Sequence, residues 1–364
     1  MCLNHFINSE KNIKIYKFIA ALLEPKINLS ELNFFYENNL KFWEKFVKIS
    51  SSHLILPTVY IKLKNIKDSS IIPPNDLLIY LDDIYKINFE RNQLVINQLL
   101  FISDLFEKNK INYVFLKGSA FLLQNYFDNL KIRMVGDIDI LVHSNDLQKA
   151  EQILKNEGFK NPHGIQNDFT REIIGKKNRH IQRLISPKYI AAIELHSELL
   201  KENFYKLLSA NEVLKSKIKI DKNIYIPCKE HLFKYAILNW QINDKGYWLN
   251  FLSLKAVYDV ICLDQLIEKP INLEHKETKH FISLMSYFYP RYKNFDQFRK
   301  FKYTLQLKSN FYNKIVYTHT HIYLYNLLIF DRLILFFKSN TYRNRVLKSP
   351  FKMISKIVNA SKNL

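Results

Sequence analysis

The stretch Tyr113–Val142 constrains this chain most, because it reads as a strand, a tight turn and a helix followed by a second strand that carries paired carboxylates. An apolar run rich in β-formers, Tyr113–Leu116, stops at Lys117, Gly118 and Ser119. A helical period of apolar residues follows at Ala120, Leu122, Leu123, Tyr126 and Phe127. Gly118 lets backbone approach a ligand, Ser119 adds a hydroxyl, and the free N–H groups at a helix start favour phosphate. A turn of this kind usually binds no ligand, so the prediction of phosphate binding depends on the neighbouring strand.

The second strand carries two acids with one residue between them. Strand periodicity predicts that Asp137 and Asp139 share one face, while Ile138, Ile140 and Val142 share the other. Two adjacent carboxylates repel each other unless a positive charge lies between them. Mg²⁺ is typically held by one or two carboxylates plus phosphate oxygens, so we expect a divalent cation here. Of the six glycines in the chain, Gly118 and Gly136 fall beside these two motifs.

A third carboxylate lies on a later predicted strand, Tyr189–His196. Its alternation places Ala192, Glu194 and His196 on one face. If this strand lies beside the Asp137 and Asp139 strand, Glu194 joins the same edge. The alternative is a surface charge on an edge strand.

The order of elements predicts an α/β (α+β) fold with a small mixed β-sheet between helical regions. Helical spacing dominates before residue 110 and after residue 227, and a helix with Gly158 at its end follows the acidic strand. We therefore predict a helical N-terminal region (1–110), an α/β core (111–226) and a helical C-terminal region with a basic tail (227–364).

The composition is that of a globular chain. Its 364 residues are 48% hydrophobic, which is ample for a buried core. Cys2, Cys228 and Cys262 are far apart, so neither a disulfide framework nor a thiolate zinc site is indicated, and we expect a cytoplasmic location. Ile322–Phe337 is short and interrupted for a membrane span, and the sequence favours a buried helix there, with an interfacial helix as the alternative.

The net charge of +20 has two interpretations. It favours an anionic partner such as RNA or a membrane surface, or it reflects coding bias toward lysine. The C-terminal part has the largest excess of positive charge, with thirteen Lys or Arg from Arg299 onward and one acid, Asp331.

Taken together, these residues resemble the uncharacterised nucleotidyltransferase family within the DNA polymerase β-like superfamily. The Gly-Ser turn, the Asp-x-Asp strand and a later carboxylate match the superfamily pattern, at the positions described above. Features closer to the family are Leu116-Lys117-Gly118, then Tyr126, Arg133 and Glu194-Leu-His196. The spacing before Asp137 is about one residue longer than the family pattern, and the resemblance does not cover the basic C-terminus.

The resemblance implies a nucleotidyltransferase fold and activity. Asp137, Asp139 and Glu194 would be catalytic and would hold Mg²⁺ or Mn²⁺ with a nucleoside triphosphate as substrate. The nucleotide-binding set would be Lys117, Gly118, Ser119 and Arg133, and His180, His196 and Tyr126 are candidates for the acceptor side.

The acceptor stays open at this stage. It could be a small molecule, glycan precursor, peptide or protein, or alternatively RNA. A non-catalytic nucleotide-binding protein is a further alternative, against which the intact carboxylates argue.

Overall fold

The computed structural model describes residues 13–66, 70–124, 132–162, 179–268 and 273–351. Within these residues, five helices precede the sheet: α1 (Ile13–Leu23), α2 (Leu29–Phe35), α3 (Leu40–Ser52), α4 (Leu56–Lys64) and α5 (Asn75–Lys108). The apolar stripe of α1 is buried, as its helical spacing predicts. Asn28 and Asn39 cap α2 and α3 with their side chains, satisfying N–H groups that a helix start leaves unpaired.

In the described part of the chain, the sheet that carries the acidic residues has three strands in the order β1-β2-β3. The elements of this region are β1 (Tyr113–Phe115), α6 (Lys117–Leu123), β2 (Ile138–Val142), a 3₁₀ turn (Ser144–Asp146), α7 (Leu147–Asn156) and β3 (Ile193–His196). Strand β1 pairs with β2 antiparallel and β2 pairs with β3 parallel. The sequence prediction of a small mixed sheet between helical regions is therefore confirmed.

Strand β3 is shorter than the Tyr189–His196 segment that alternation predicts. The Gln98 side chain of α5 takes both backbone groups of Ala191: Gln98 Nε2 donates to Ala191 O at 2.8 Å, and Ala191 N donates to Gln98 Oε1 at 3.1 Å. Because these groups are used by a side chain, they are not free to extend the ladder.

A hairpin and a second helical set follow the sheet. The elements are a 3₁₀ segment (Glu202–Leu207), α8 (Ala210–Lys215), β4 (Ile218–Asp221), β5 (Ile224–Ile226), α9 (Lys229–Leu238), a π-helical turn (Asn239–Asn243), α10 (Gly246–Leu249), α11 (Leu254–Asp264), α12 (Lys276–Met285), α13 (Gln297–Lys308), α14 (Asn310–Lys338) and α15 (Asn340–Lys348). Helix α12 begins inside a polar segment that the sequence suggests is a connection. Its polar side chains have buried partners, since His280 contacts Gln241 Oε1 at 2.8 Å and Asn250 Oδ1 at 3.0 Å.

Helix α14 corrects two sequence expectations. It is 29 residues long, not confined to Ile322–Phe337, because Ser309 caps it at its start and nothing breaks the helix before Lys338. It is also not a buried helix: of its residues, Asn313 and Thr320 are buried. Among the described residues it is the one helix long and apolar enough to cross a membrane, and 6% of its most apolar window is buried.

The three predicted regions share one apolar core. Its largest cluster includes side chains from the first helices, the sheet and helices α9, α11 and α12. Polar contacts add to this connection, since Thr58 Oγ1 of α4 donates to Ile132 O at 2.9 Å. The domain bounds 1–110, 111–226 and 227–364 stay a prediction.

We expect Gly246→Ala to destabilise the protein. A Cβ at Gly246 would lie 2.3 Å from Trp240 Nε1, which donates to Phe251 O at 2.8 Å. Either the indole or the backbone must shift, at a cost of about 2 kcal/mol in the free energy of unfolding. Denaturant unfolding measures this cost. Gly136→Ala is the matched control, because a Cβ there meets nothing within 4 Å; equal destabilisation by both variants would contradict the packing argument.

Candidate active site

The parallel pairing of β2 and β3 brings two of the predicted acids side by side. The register sets Asp139 opposite Glu194, and His196 follows two residues later on β3. Ligand atoms of Asp139, Glu194 and His196 all lie within 4.8 Å of one another. Glu194 therefore lies at the acidic edge of the sheet, as its strand alternation predicts.

Lys117 lies against Asp139 at the start of α6. Its Nζ is 2.7 Å from Asp139 Oδ1. Its backbone has φ 48°, a left-handed conformation that is costly for a residue with a Cβ. Strain of this kind concentrates at functional sites, where the surrounding structure holds it in place. The sequence resemblance predicts nucleotide binding for Lys117, and the structure places its ammonium on the central carboxylate.

The Asp139 carboxylate is buried yet ionised. Burial by itself would raise its pKa, but the Lys117 ammonium and the hydrogen bond from His196 outweigh burial and hold the pKa well below the usual range. The same burial lowers the pKa of His196 to about 4, although Asp139 opposes this, so the imidazole is neutral near pH 7. Because Asp139 is ionised, we assign the imidazole proton to Nε2, which donates to Asp139 Oδ1 at 2.9 Å. His196 thus orients Asp139.

Arg183 joins the site although the sequence did not single it out. Its Nη2 lies 2.5 Å from Asp137 Oδ2 and 3.5 Å from Glu194 Oε1. Burial is the largest influence on Asp137 and raises its pKa, with Arg183 opposing it. The bridge between Leu184 and Ile193 carries Arg183 to this edge. That pairing joins the predicted strand β3 to an irregular segment, and local periodicity does not predict which segment pairs with it.

The Gly-Ser turn lies after β1, as predicted, but the contact that requires its glycine is one of packing. A Cβ at Gly118 would lie 2.9 Å from Val135 Cγ2, so glycine permits close packing there. Ser119 is fully buried, and its Oγ has no hydrogen-bond partner among the described residues. Helix α6 has seven residues. Phosphate binding by Gly118 and Ser119 stays a prediction.

The structure describes two of the three predicted acceptor-side residues, His180 and His196. His180 is half-buried, and its ring centroid lies 5.1 Å from that of His196. Tyr126 falls outside the described residues. His180 and Tyr126 stay predictions for that role.

Arg133 is held by the helical region that follows the core. Its Nε and Nη2 donate to the two carboxylate oxygens of Asp259 in α11, at 2.8 and 2.7 Å, and both side chains are buried. This bidentate pair attaches the loop before β2 to α11. Arg133 nevertheless lines the same cleft as Lys117, Asp139 and Glu194. Its predicted contact with nucleotide stays a prediction.

The cleft lies between the acidic sheet edge and the surrounding helices. Its lining combines the site residues with His53 after α3, with Tyr235 and Trp240 from α9 and the π-helical turn, and with Lys255 of α11. Helices from both flanking regions therefore form the walls of the cleft, while the core supplies the carboxylates.

The carboxylates fit a hard divalent cation. Asp139 and Glu194 are adjacent and, with His196, form the group of possible ligands among the described residues, whereas Asp137 lies outside that group and contacts Arg183, which also contacts Glu194. Oxygen donors of this kind are what Mg²⁺ and Mn²⁺ take, with phosphate oxygens completing the coordination. The ammonium of Lys117 and the guanidinium of Arg183 already balance these acids with positive charge. The residues present therefore suit Mg²⁺ or Mn²⁺.

Comparison with known protein families identifies the family of this chain. A family model described as an uncharacterised nucleotidyltransferase matches residues 40–276, about two thirds of the chain. The matched range begins at the first residue of α3 and ends at the first residue of α12, so it contains every cleft residue discussed above. A search of curated proteins found no match.

We expect Arg133→Met to destabilise the protein by about 3–5 kcal/mol, because it leaves the Asp259 carboxylate buried without its partner. Adding Asp259→Leu to that variant should restore most of the lost stability, since the unpaired charge is then gone. Chemical denaturation of the two variants and the parent measures both effects. Lys86→Met, which breaks the exposed pair with Asp82, is the control and should leave the unfolding midpoint unchanged. No recovery in the double variant would contradict this account of the pair.

Proposed function

Since the chain belongs to the uncharacterised nucleotidyltransferase family, it is a transferase acting on a nucleotide substrate, and we propose its specific reaction here. The protein transfers a nucleoside monophosphate from a nucleoside triphosphate to an acceptor hydroxyl on a small molecule, glycan precursor, peptide or protein. The oxygen of the hydroxyl forms a bond to the α-phosphorus, the bond from that phosphorus to the bridging oxygen breaks, and pyrophosphate leaves. The observation that carries this proposal is the pairing of Asp139 with Glu194 across two strands of a buried sheet edge.

Asp137, Asp139 and Glu194 would hold Mg²⁺ or Mn²⁺. When bound, the cation supplies charge neutralisation for the phosphates and orients them for in-line displacement. The protein's own contribution is a fixed group of charges that needs no rearrangement during reaction. Asp139 is the most constrained of these charges, because Lys117 and His196 both contact its Oδ1.

Glu194 is the better candidate to receive the proton of the acceptor hydroxyl. Asp139 is poorly suited, since its neighbours hold its pKa well below the usual range. Glu194 is partly accessible, with 18% of its side chain exposed, and its Oε1 contacts Arg183 at 3.5 Å. A base must reach the proton that it takes, and this exposure on the cleft satisfies that need.

Lys117 and Arg133 have distinct supporting roles in this proposal. Lys117 keeps Asp139 ionised and lines the cleft where phosphates would lie. Arg133, fixed by Asp259, presents a rigid positive edge to the same cleft. Gly118 and Ser119 complete the nucleotide side in the proposal, with Gly118 on the cleft lining. We place the reaction in the cytoplasm.

RNA is the second candidate acceptor. The net charge of +20 favours it, since a basic surface attracts a polyanion. A non-catalytic nucleotide-binding protein is a further alternative, against which the three intact carboxylates argue. Incubation with labelled nucleoside triphosphates, Mg²⁺ and cell extract tests the proposal, and the fraction that takes the label identifies the acceptor class.

Asp139→Asn should lower the rate of label transfer at least ~10²-fold, the scale of loss when a preorganised charged group is removed. Because that variant also leaves Lys117 without its partner, Glu194→Gln is the second variant and should show a comparable loss with an unchanged melting temperature. Asp221→Asn, on the exposed tip of β4, is the matched control and should retain full activity. Full activity in both site variants would remove these carboxylates from the mechanism.

Arg183→Gln should lower the Mg²⁺ concentration needed for half-maximal activity about two- to fivefold. The guanidinium neutralises Asp137 and Glu194, so it competes with a cation for the same oxygens. A Mg²⁺ titration of label transfer measures the shift. Lys222→Gln removes one positive charge from the exposed hairpin and should leave the titration unchanged. A higher Mg²⁺ requirement in Arg183→Gln would show that the arginine supports cation binding instead.

A further inference from the structure

The second half of α14 exposes a continuous apolar face. Large apolar side chains recur there at helical spacing, and their exposed fractions reach 62% at Phe330 and 73% at Phe337. The exposed side chains of this face are Ile322, Tyr323, Leu327, Phe330, Leu333 and Phe337. A contiguous apolar surface of this kind on a folded chain marks a site of interaction.

The first half of α14 has a partner and the second half has little. Asn313 and Thr320 are buried, and Thr320 Oγ1 donates to Trp248 O at 3.1 Å, which holds the helix start to α10. Beyond Thr320 no residue of α14 is buried, and α15, which follows after Ser339, contacts the helix. The helix is therefore neither a core helix nor a segment near the N-terminus, the two ordinary reasons for such an apolar sequence.

Positive charge follows this apolar face along the chain. Lys338 ends α14, and Arg343 and Lys348 lie on α15. From Arg299 to the end of the chain, Asp331 is the sole acid in the sequence. An apolar helix face followed closely by cationic residues is complementary to a surface of hydrocarbon and anionic headgroups.

The geometry favours a helix lying on a membrane over one that crosses it. The exposed segment 322–337 is about 24 Å long at ~1.5 Å per residue, shorter than the ~30 Å hydrocarbon core. Asp331 and Arg332 interrupt that segment. Crossing would also draw the polar residues of α15 toward hydrocarbon, at high cost for charged side chains.

We propose that the exposed apolar face of α14, together with Lys338, Arg343 and Lys348, attaches the protein in-plane to membranes that contain anionic phospholipids. The phenyl and aliphatic side chains enter the boundary between headgroups and acyl chains, and the cationic side chains contact phosphate groups. None of these residues lines the nucleotidyltransferase cleft, so this surface is distinct from it.

Two other occupants fit the surface less well. A second copy packed on the same face would bring Lys338, Arg343 and Lys348 of both chains together, which opposes association of like charges. RNA would satisfy the cations but would leave the aliphatic side chains of α14 in water, since nucleic acid without unpaired bases offers phosphates and sugars at its surface.

Flotation of the full-length protein with lipid vesicles tests the proposal. Vesicles of phosphatidylcholine alone are compared with vesicles that also contain phosphatidylglycerol, at low and at high salt. We expect the protein to float with the phosphatidylglycerol vesicles and to float less with phosphatidylcholine alone. Salt should weaken the charge contribution and leave part of the binding, because burial of apolar side chains is not screened.

Matched variants separate the two contributions. Phe330→Ser with Phe337→Ser should lower partition onto vesicles at least ~10-fold at either salt concentration. Arg343→Gln with Lys348→Gln should lower it about fivefold per charge at low salt and much less at high salt. Phe34→Ser, which changes an equally exposed phenylalanine of α2, and Lys41→Gln of α3 are the controls and should bind as the parent does.

Four outcomes would overturn the proposal. The first is no flotation with either vesicle, and the second is flotation that the phenylalanine variant does not reduce. The third is a dimer, detected by light scattering, that the phenylalanine variant dissociates and that does not bind vesicles. The fourth is RNA binding that the Arg343 and Lys348 variant removes in a protein that does not float.

Discussion

A buried, ionised carboxylate is the constraint around which this structure is organised. Asp139 lies at the end of a small sheet, where burial disfavours charge, and it stays ionised because Lys117 and His196 contact the same oxygen. That arrangement requires α6 to begin with a strained lysine and requires β3 to lie parallel to β2 in one register. A shift of one residue in that register would turn Glu194 and His196 to the opposite face of the sheet.

The helical regions fix what the sheet presents. Arg133 of the loop before β2 forms an ion pair with Asp259 of α11. The Gln98 side chain of α5 hydrogen-bonds both backbone groups of Ala191 and so limits where β3 begins. These contacts join residues that are far apart in the sequence. They explain why a family match extends well beyond the sheet on both sides, since a sheet of three short strands cannot hold such a cluster of charges by itself.

Helix α14 differs from helices such as α1 and α11 in that its apolar face is exposed. Elsewhere, apolar side chains at helical spacing are buried in a shared core, as α1 and α11 show. In α14 the apolar side chains at the same spacing are exposed. Spacing predicts which side chains share a face, but it does not say whether the protein, a lipid surface or water covers that face. This is why the expectation of a buried helix over Ile322–Phe337 was wrong.

The sequence by itself determined the elements and their faces. Local periodicity and turn residues predicted the strand, turn and helix at Tyr113–Leu123, the acidic strand and the Glu194 strand, because these signals act over a few residues. The tertiary structure decided which charges meet. Arg183 reaches Asp137 and Glu194 because an irregular segment pairs with β3. Arg133 pairs with Asp259, which is 126 positions away in the sequence, and Ser119 is buried. Such contacts depend on the packing of distant segments, and no local pattern encodes the direction in which a side chain finds its partner.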